Sequence, residues 1–210
     1  MRLVLATGNA GKLKELRELL APLAFEVLPQ SQFTAVSAAE TGLTFVENAI
    51  LKARHAAQAA GLPAIADDSG LEVDALDGAP GIHSARYAGE SASDEENLRK
   101  LLAALQGTPP SQRTARYQCA LVFMRSARDP SPLLCQATWE GRIIATPRGA
   151  EGFGYDPVFE LLDRGVTAAE LPAAEKNLLS HRGQALRALV SQLRSLRPSP
   201  KDESAPLTIR

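Results

Sequence analysis

The chain has 210 residues, enough for one domain with a sizeable core, and 45% of them are hydrophobic, as in a folded globular protein. A formal net charge of −1 argues against a broad electrostatic surface for nucleic acid, and no apolar run approaches the roughly 18 residues of a membrane helix, so neither nucleic acid nor membrane is expected as a partner. The two cysteines, Cys119 and Cys135, each sit in an apolar stretch and read as free buried thiols of a cytoplasmic protein.

The apolar run Leu3-Val4-Leu5-Ala6 predicts a strand that opens the chain at once, with no signal peptide expected. "TGNAGK" then predicts a tight loop, and a helix follows from about Lys12 to Leu20 with Leu13, Leu16 and Leu20 on one face. Phe25 to Leu28 reads as a short strand. An alanine-rich helix runs from about Thr44 to Ala60 and is stopped by Gly61 and Pro63. "PAIADDSGLEVDAL" reads as a strand, an acidic turn and a second strand, and "DGAPGIHSARYAGE" as a loop punctuated by glycine and proline.

Ser93 and Glu96 form a capping box before a helix whose Leu98, Leu101, Leu102 and Leu105 share a face. "RYQCALVFMRSA" and "LLCQATWEGRIIA" predict long antiparallel strands joined by a turn around Asp129-Pro130. "GFGYDPVFE" is a loop running into a short strand. The last helix, from about Arg182, buries Leu186, Leu189, Val190 and Leu193. Residues 198–210 are polar, proline-rich and aperiodic, so a disordered tail is expected after a single domain over 1–197. Helices and strands alternate early and a hairpin fills the middle, which predicts a mixed sheet with helices on both sides.

Several stretches carry candidate chemistry. Gly8 and Gly11 lack a Cβ, so backbone N–H groups there can approach a ligand. The helix that follows presents its N-terminus, and Lys12 adds a mobile charge. The pattern is not GxxxxGK[ST]: the first glycine would fall at Ala6, and Leu13 stands where a hydroxyl would be. Taken alone, the stretch fits a phosphate cradle or a turn that needs glycine for its geometry. In "ADDSG", Asp67 and Asp68 follow an apolar run. In extended chain they face opposite ways, so one faces a given cleft and can serve a hard cation such as Mg²⁺. Glu40, Glu47 and Lys52 can serve the same cleft or lie on a solvated face. "FGYD", Phe153 to Asp156, offers aromatics for stacking on a base or for plugging the core. Lys176, His181 and Arg182 gather near a helix start, where they can donate to a purine carbonyl or form a cap with surface charge.

Five stretches in order, "TGNAGK", "FVENAILKA", "ADDSGLEVDALDGAPGIHSARYAG", "GFGYDPVF" and "EKNLLSHRGQA", resemble the signature segments of the non-canonical purine nucleoside triphosphate pyrophosphatases. The likeness is to the bacterial dITP/XTP-hydrolysing branch and spans roughly Leu3 to Leu193. The resemblance implies an α/β fold with an elongated mixed sheet, two lobes, a cleft between them, and a homodimer. It implies Mg²⁺-dependent hydrolysis of dITP, ITP or XTP to a monophosphate and pyrophosphate, which cleanses the nucleotide pool. By position, Thr7, Gly8, Asn9, Ala10, Gly11, Lys12 and Ser69 resemble the phosphate and sugar contacts. Asp68 resembles the general base and, with Glu40, the metal ligands. Phe153, Gly154, Tyr155, Asp156, Lys176, His181 and Arg182 resemble the base-recognition set. The family usually has two glutamates before "TG", and here they are Ala39 and Glu40. A pyrophosphatase for other modified nucleotides and a nucleotide-sensing module without turnover are the alternative readings.

Overall fold

The computed structural model describes residues 2–21 and 25–195; the expected tail lies outside them. A mixed sheet runs in the order β2-β1-β3-β4-β5-β6, with β1 Arg2–Ala6, β2 Glu26–Pro29, β3 Ala64–Val73, β4 Thr114–Met124, β5 Leu133–Ile143 and β6 Phe159–Glu160. β1 lies parallel to β2 and β3, and every later pairing is antiparallel. The helices are α1 Ala10–Leu20, α2 Phe45–Ala60, α3 Asp94–Ala104, α4 Ala173–Leu179 and α5 His181–Ser195. No helix among the described residues is long and apolar enough to cross a membrane.

Local chemistry sets the helix ends. Thr44 Oγ1 accepts from Glu47 N at 3.2 Å while the Glu47 carboxylate accepts from Thr44 N at 3.0 Å, a capping box that starts α2. Gly61, at φ 62°, ends it in a left-handed conformation. Glu47 is thereby assigned to the cap rather than to the cleft. Ser93 and Glu96 open α3 in the same way, as their spacing predicts.

Three cores share the long strands. Ala49, Ala53, Ala56 and Ala57 of α2 pack on Val4, Ala64, Ala66, Ala120 and Val122, where small side chains bring helix and sheet close. On the opposite face, α1 and α5 bury Leu16, Leu20, Leu186 and Leu189 against Leu3, Leu5, Ile65 and Leu121. At the far end of β3 to β5, Leu98 and Leu101 of α3 meet Leu71, Val73, Tyr117, Trp139 and Phe159. The core is thus divided between the two ends of the long strands.

One local expectation fails. "ADDSG" is not a turn but the middle of β3, paired to β4 along its whole length: Asp67 faces Leu121, Asp68 faces Ala120 and Ser69 faces Cys119. The ladder supplied by β4 overrides the turn preference of Asp, Ser and Gly. The strand geometry keeps the alternation. Asp67 continues the face of Ile65 toward α1 and α5, and Asp68 continues the face of Ala66 toward α2.

The α4–α5 corner that places His181 and Arg182 is tight. A Cβ on Gly183 would lie 1.8 Å from the Asn177 carbonyl oxygen, and Gly183 N donates to Ser180 Oγ at 3.2 Å. Gly183→Ala is therefore expected to destabilise the fold by about 1–3 kcal/mol through overpacking. A thermal melt checks this, with a fall of several degrees expected. An unchanged midpoint would show that the corner relaxes freely.

Candidate active site

The site grows from the two faces of β3. The first turn of α1 is capped by Asn9, whose Oδ1 accepts from Lys12 N at 3.0 Å, and Thr7 Oγ1 accepts from Asn9 N at 3.2 Å. The cap aims Lys12 across the cleft, where its Nζ lies 2.6 Å from Asp67 Oδ1. Asp67 is wholly buried and holds more than this one partner. Arg182 Nε donates to its Oδ2 at 3.2 Å, the Cys119 thiol donates to Oδ2 at 3.1 Å, and Ser69 Oγ donates to Oδ1 at 3.1 Å. Burial opposes ionisation of Asp67, but the Lys12 and Arg182 charges outweigh it and hold the carboxyl well below the usual carboxylate range.

Asp68 differs. Its Oδ1 meets Lys52 Nζ at 2.6 Å, while Oδ2 is buried with no hydrogen-bond partner in the protein. Burial raises its affinity for a proton against the pull of Lys52 and Lys12. Lys52 also reaches Glu40 Oε1 at 3.2 Å, and Glu40 Oε2 meets Arg86 Nη1 at 2.7 Å. One adjacent carboxylate is thus a fixed anchor and the other keeps an unused oxygen.

Two cavities meet at the site. One is lined by Ser84, Asp94, Tyr117, Phe153, Tyr155 and Asp156, together with Lys176, His181 and Arg182. The other is lined by Thr7, Gly8, Glu40, Lys52, Asp68 and Arg86. Asn9, Lys12, Ser69 and Ala85 line both, so the two cavities adjoin at these residues. The first sets the rings of Tyr117, Phe153 and Tyr155 among polar and charged side chains, and the second is polar and charged without an aromatic ring.

In the aromatic cavity, Lys176 Nζ meets Asp156 Oδ2 at 2.7 Å and Glu15 Oε1 at 2.9 Å. Arg182 Nη1 is ion-paired to Glu15 and Nη2 donates to Ser69 Oγ at 2.9 Å. Both cations expected to read a base are therefore already committed to carboxylates. His181 stacks on Tyr117, with centroids 4.7 Å apart and planes at 7°, and its Nδ1 is buried without a partner. Burial and the neighbouring Arg182 charge push its pKa well below the ordinary value, so the ring is neutral. Phe153 forms one wall with Lys176 Nζ 4.8 Å above its ring, and Phe153 N donates to Asp156 Oδ2 at 2.9 Å. Tyr155 points away from the cations and donates its hydroxyl to Ser84 O at 2.8 Å.

Apart from Glu47, the residues singled out from sequence converge here, with Gly8 beside the Asn9 cap, Ala10 and Gly11 in the first turn of α1, and Gly154 N donating to Asp94 Oδ2 at 2.8 Å. Glu15, Arg86, Asp94 and the Tyr117–Trp139 pair were not expected. Glu15 stands off the leucine stripe of α1, and Tyr117 pairs with Trp139 across β4 and β5, two signals that gain meaning only once α5 is in place.

Comparisons with known proteins give the chain's relatives. A profile described as the Ham1 family matches residues 3–192. The dITP/XTP pyrophosphatase of Vibrio parahaemolyticus is 60% identical over 192 residues, covering 91% of this chain and 96% of that one. A dITP/XTP pyrophosphatase from Yersinia pseudotuberculosis is 61% identical over 193 residues, covering 92% and 98%. The structure of a HAM1 protein from Coxiella burnetii superposes with a TM-score of 0.85 at 50% identity, covering 93% of this chain and 99% of that one. The Staphylococcus aureus Ham1 protein gives 0.82 at 39% identity, covering 94% and 100%.

The buried neutral imidazole has a consequence for stability. The folded His181 resists protonation, while in the unfolded chain it takes up a proton as pH falls through about 6.5. The unfolded state then binds more protons, so stability is present above that pH and is lost below it, by up to about 1.4 kcal/mol per pH unit. Between pH 7.5 and 5.5 the wild type is expected to lose about 1 kcal/mol more than His181→Gln in urea unfolding. Parallel losses would mean that the ring takes its proton inside the fold.

Proposed function

The chain belongs to the Ham1 family, and on that premise we propose that it hydrolyses non-canonical purine nucleoside triphosphates, dITP, ITP and XTP, to the monophosphate and pyrophosphate. The observation that carries the reading is the contrast between Asp67, locked and ionised, and Asp68, which lines the polar cavity with its proton affinity raised and one buried oxygen unpartnered. A raised carboxylate is the better proton acceptor. The same contrast favours turnover over a sensing module, which would need no unsatisfied buried base.

The purine would lie in the aromatic cavity against Phe153, with the triphosphate crossing Ser69 into the polar one. Asp68 would take a proton from water as the water oxygen bonds to the α-phosphorus. The bond from that phosphorus to the bridging oxygen breaks, and pyrophosphate leaves with the electron pair. Lys12 and Lys52 stand where charge develops on the phosphates, already held in place by Asp67 and Asp68.

Mg²⁺ fits this donor set. Asp68 and Glu40 both line the polar cavity and offer hard carboxylate oxygens. Among the described residues no group of three or more His, Cys, Asp or Glu gathers as a ready ligand cage, so phosphate oxygens and water would complete a shell held by Asp68 with Glu40. A cation bound there lowers the charge of the leaving phosphates. Glu40 would join by loosening its ties to Lys52 and Arg86.

Base choice would rest on His181, whose neutral ring donates from whichever nitrogen carries the proton. Hypoxanthine and xanthine carry a 6-carbonyl that accepts a hydrogen bond, whereas adenine presents an amine there. His181 Nδ1 lacks a protein partner, and an unmet buried polar group costs about 1–3 kcal/mol. The cations Lys176 and Arg182 lie over the Phe153 ring that walls the cavity. We also infer a homodimer in the cytoplasm from the family resemblance, and sedimentation of the purified protein tests the oligomeric state.

The two carboxylates separate in a single pair of variants. Asp68→Asn should lower pyrophosphate release from ITP by roughly 10²–10⁴ with the fold intact. Asp67→Asn should instead lower the melting temperature sharply, since breaking a buried pair costs about 3–5 kcal/mol. Near-full turnover in Asp68→Asn would remove it as the base. A second assay compares kcat/KM for ITP and ATP, with ITP preferred by about tenfold or more from one unmet buried hydrogen-bonding group at about 1.4 kcal/mol per tenfold. Equal rates would exclude selection by the 6-carbonyl.

A further inference from the structure

We propose that Arg86 is a ligand of the leaving pyrophosphate, held ready by Glu40; the proposal rests on the pyrophosphatase reading above. The inference begins with position. The two cavities share Asn9, Lys12, Ser69 and Ala85, so a nucleotide with its base against Phe153 crosses at that shared wall. Lys52, Glu40 and Arg86 line the polar cavity alone and therefore meet the part of the ligand farthest from the base. In a triphosphate that part is the β- and γ-phosphates, the pair that departs together.

Availability points the same way. Arg182 is buried and engages Asp67, Glu15 and Ser69 through all three of its nitrogens, so it is fixed. Arg86 is about one-fifth exposed, and its close ion pair, Nη1 to Glu40 Oε2, runs through one nitrogen. Its Nε lies 3.6 Å from the carboxylate of Glu90, which is exposed and screened by solvent. A guanidinium presents five N–H groups in a planar fork that matches phosphate oxygens two at a time. Glu40 does not hold Arg86 exclusively, because it also faces Lys52 at 3.2 Å. Loosening the Glu40 pair leaves no wholly buried charge behind, unlike any change at Asp67. The pair joins two separate segments at the cavity, the 3₁₀ turn Gly81–Arg86 and the loop before α2, so its exchange for phosphate needs only a side-chain movement.

The test separates the two products. Inhibition of ITP hydrolysis by pyrophosphate and by inosine monophosphate is measured for wild type, Arg86→Gln and Arg86→Lys, with melting temperatures alongside. Arg86→Gln should weaken pyrophosphate inhibition by about tenfold or more and raise KM for ITP, with inhibition by the monophosphate changed less than about twofold. Arg86→Lys should restore part of the pyrophosphate affinity, because it keeps the charge and loses the fork. If both products weaken together, or neither changes, Arg86 is not a ligand of the leaving group. If Arg86→Gln does not fold, Arg86→Lys decides: a loss confined to pyrophosphate supports the assignment, and equal or absent losses overturn it. Wild type that releases no pyrophosphate from ITP would refute the underlying reading instead.

Discussion

A carboxylate with no access to water, Asp67, sets the terms for everything around it. Left alone, such a charge would be untenable inside a protein. It is tolerated because Lys12 comes from α1, Arg182 from α5, Cys119 from β4 and Ser69 from its own strand. Four elements are thereby tied to one side chain. The tie is stringent: removal of a partner leaves a buried charge uncompensated, so the docking of α1 and α5 on the sheet cannot drift without cost. The same interaction keeps Lys12 from collapsing elsewhere and fixes the wall between the two cavities.

From Asp67 the charges alternate outward. On one side run Arg182, Glu15, Lys176 and Asp156, and on the other face of β3 run Asp68, Lys52, Glu40 and Arg86. With Lys12 included, five cations stand against five carboxylates, so the ionised cluster carries no formal surplus. This has two effects. The cations are held at fixed positions before any ligand arrives, which is the condition for electrostatic stabilisation without reorganisation. The cluster has no spare positive charge for a triphosphate, so the incoming charge must bring a cation with it or displace a carboxylate from its partner. The pairs at the deep end are too buried to yield. Those at the outer end, around Glu40, are the ones that can.

Much of the fold was legible because it rests on local or periodic signals. The capping box at Ser93, the glycine stop of α2, the leucine stripe of α1 and the apolar face of α5 all read directly from spacing. So did the opposed directions of Asp67 and Asp68, because a strand alternates whatever it pairs with. What did not read was long-range. "ADDSG" carries turn residues, and only the ladder to β4 makes it a strand. Glu15 pairs with residues 161 and 167 positions away, and no local pattern marks it as more than a charged helix residue. Lys176 and Arg182 looked like free donors because sequence lists donors without their partners. The stacking of His181 on Tyr117 is likewise a product of α5 crossing β4 and β5.

Gly11 shows how one residue can satisfy a motif for a reason other than the one the motif suggests. In the sequence its missing Cβ fits room for a phosphate or a turn that needs glycine for its geometry. In the structure, a Cβ there would lie 2.6 Å from the ring of Phe153, so the bare Cα makes room for the aromatic wall of the base cavity. Gly8, by contrast, has open space where a Cβ would stand. Phe153 is in turn held by Asp156 through its backbone N–H, and its ring lies beneath Lys176 and Arg182 at 4.8 and 5.6 Å. The first turn of α1 therefore touches the base wall by packing and the phosphate side through Lys12. A larger residue at position 11 would push the ring toward those two cations, and through Arg182 the disturbance would reach Asp67. The glycine that looks like part of a phosphate loop is the point at which base recognition and the buried carboxylate are mechanically joined.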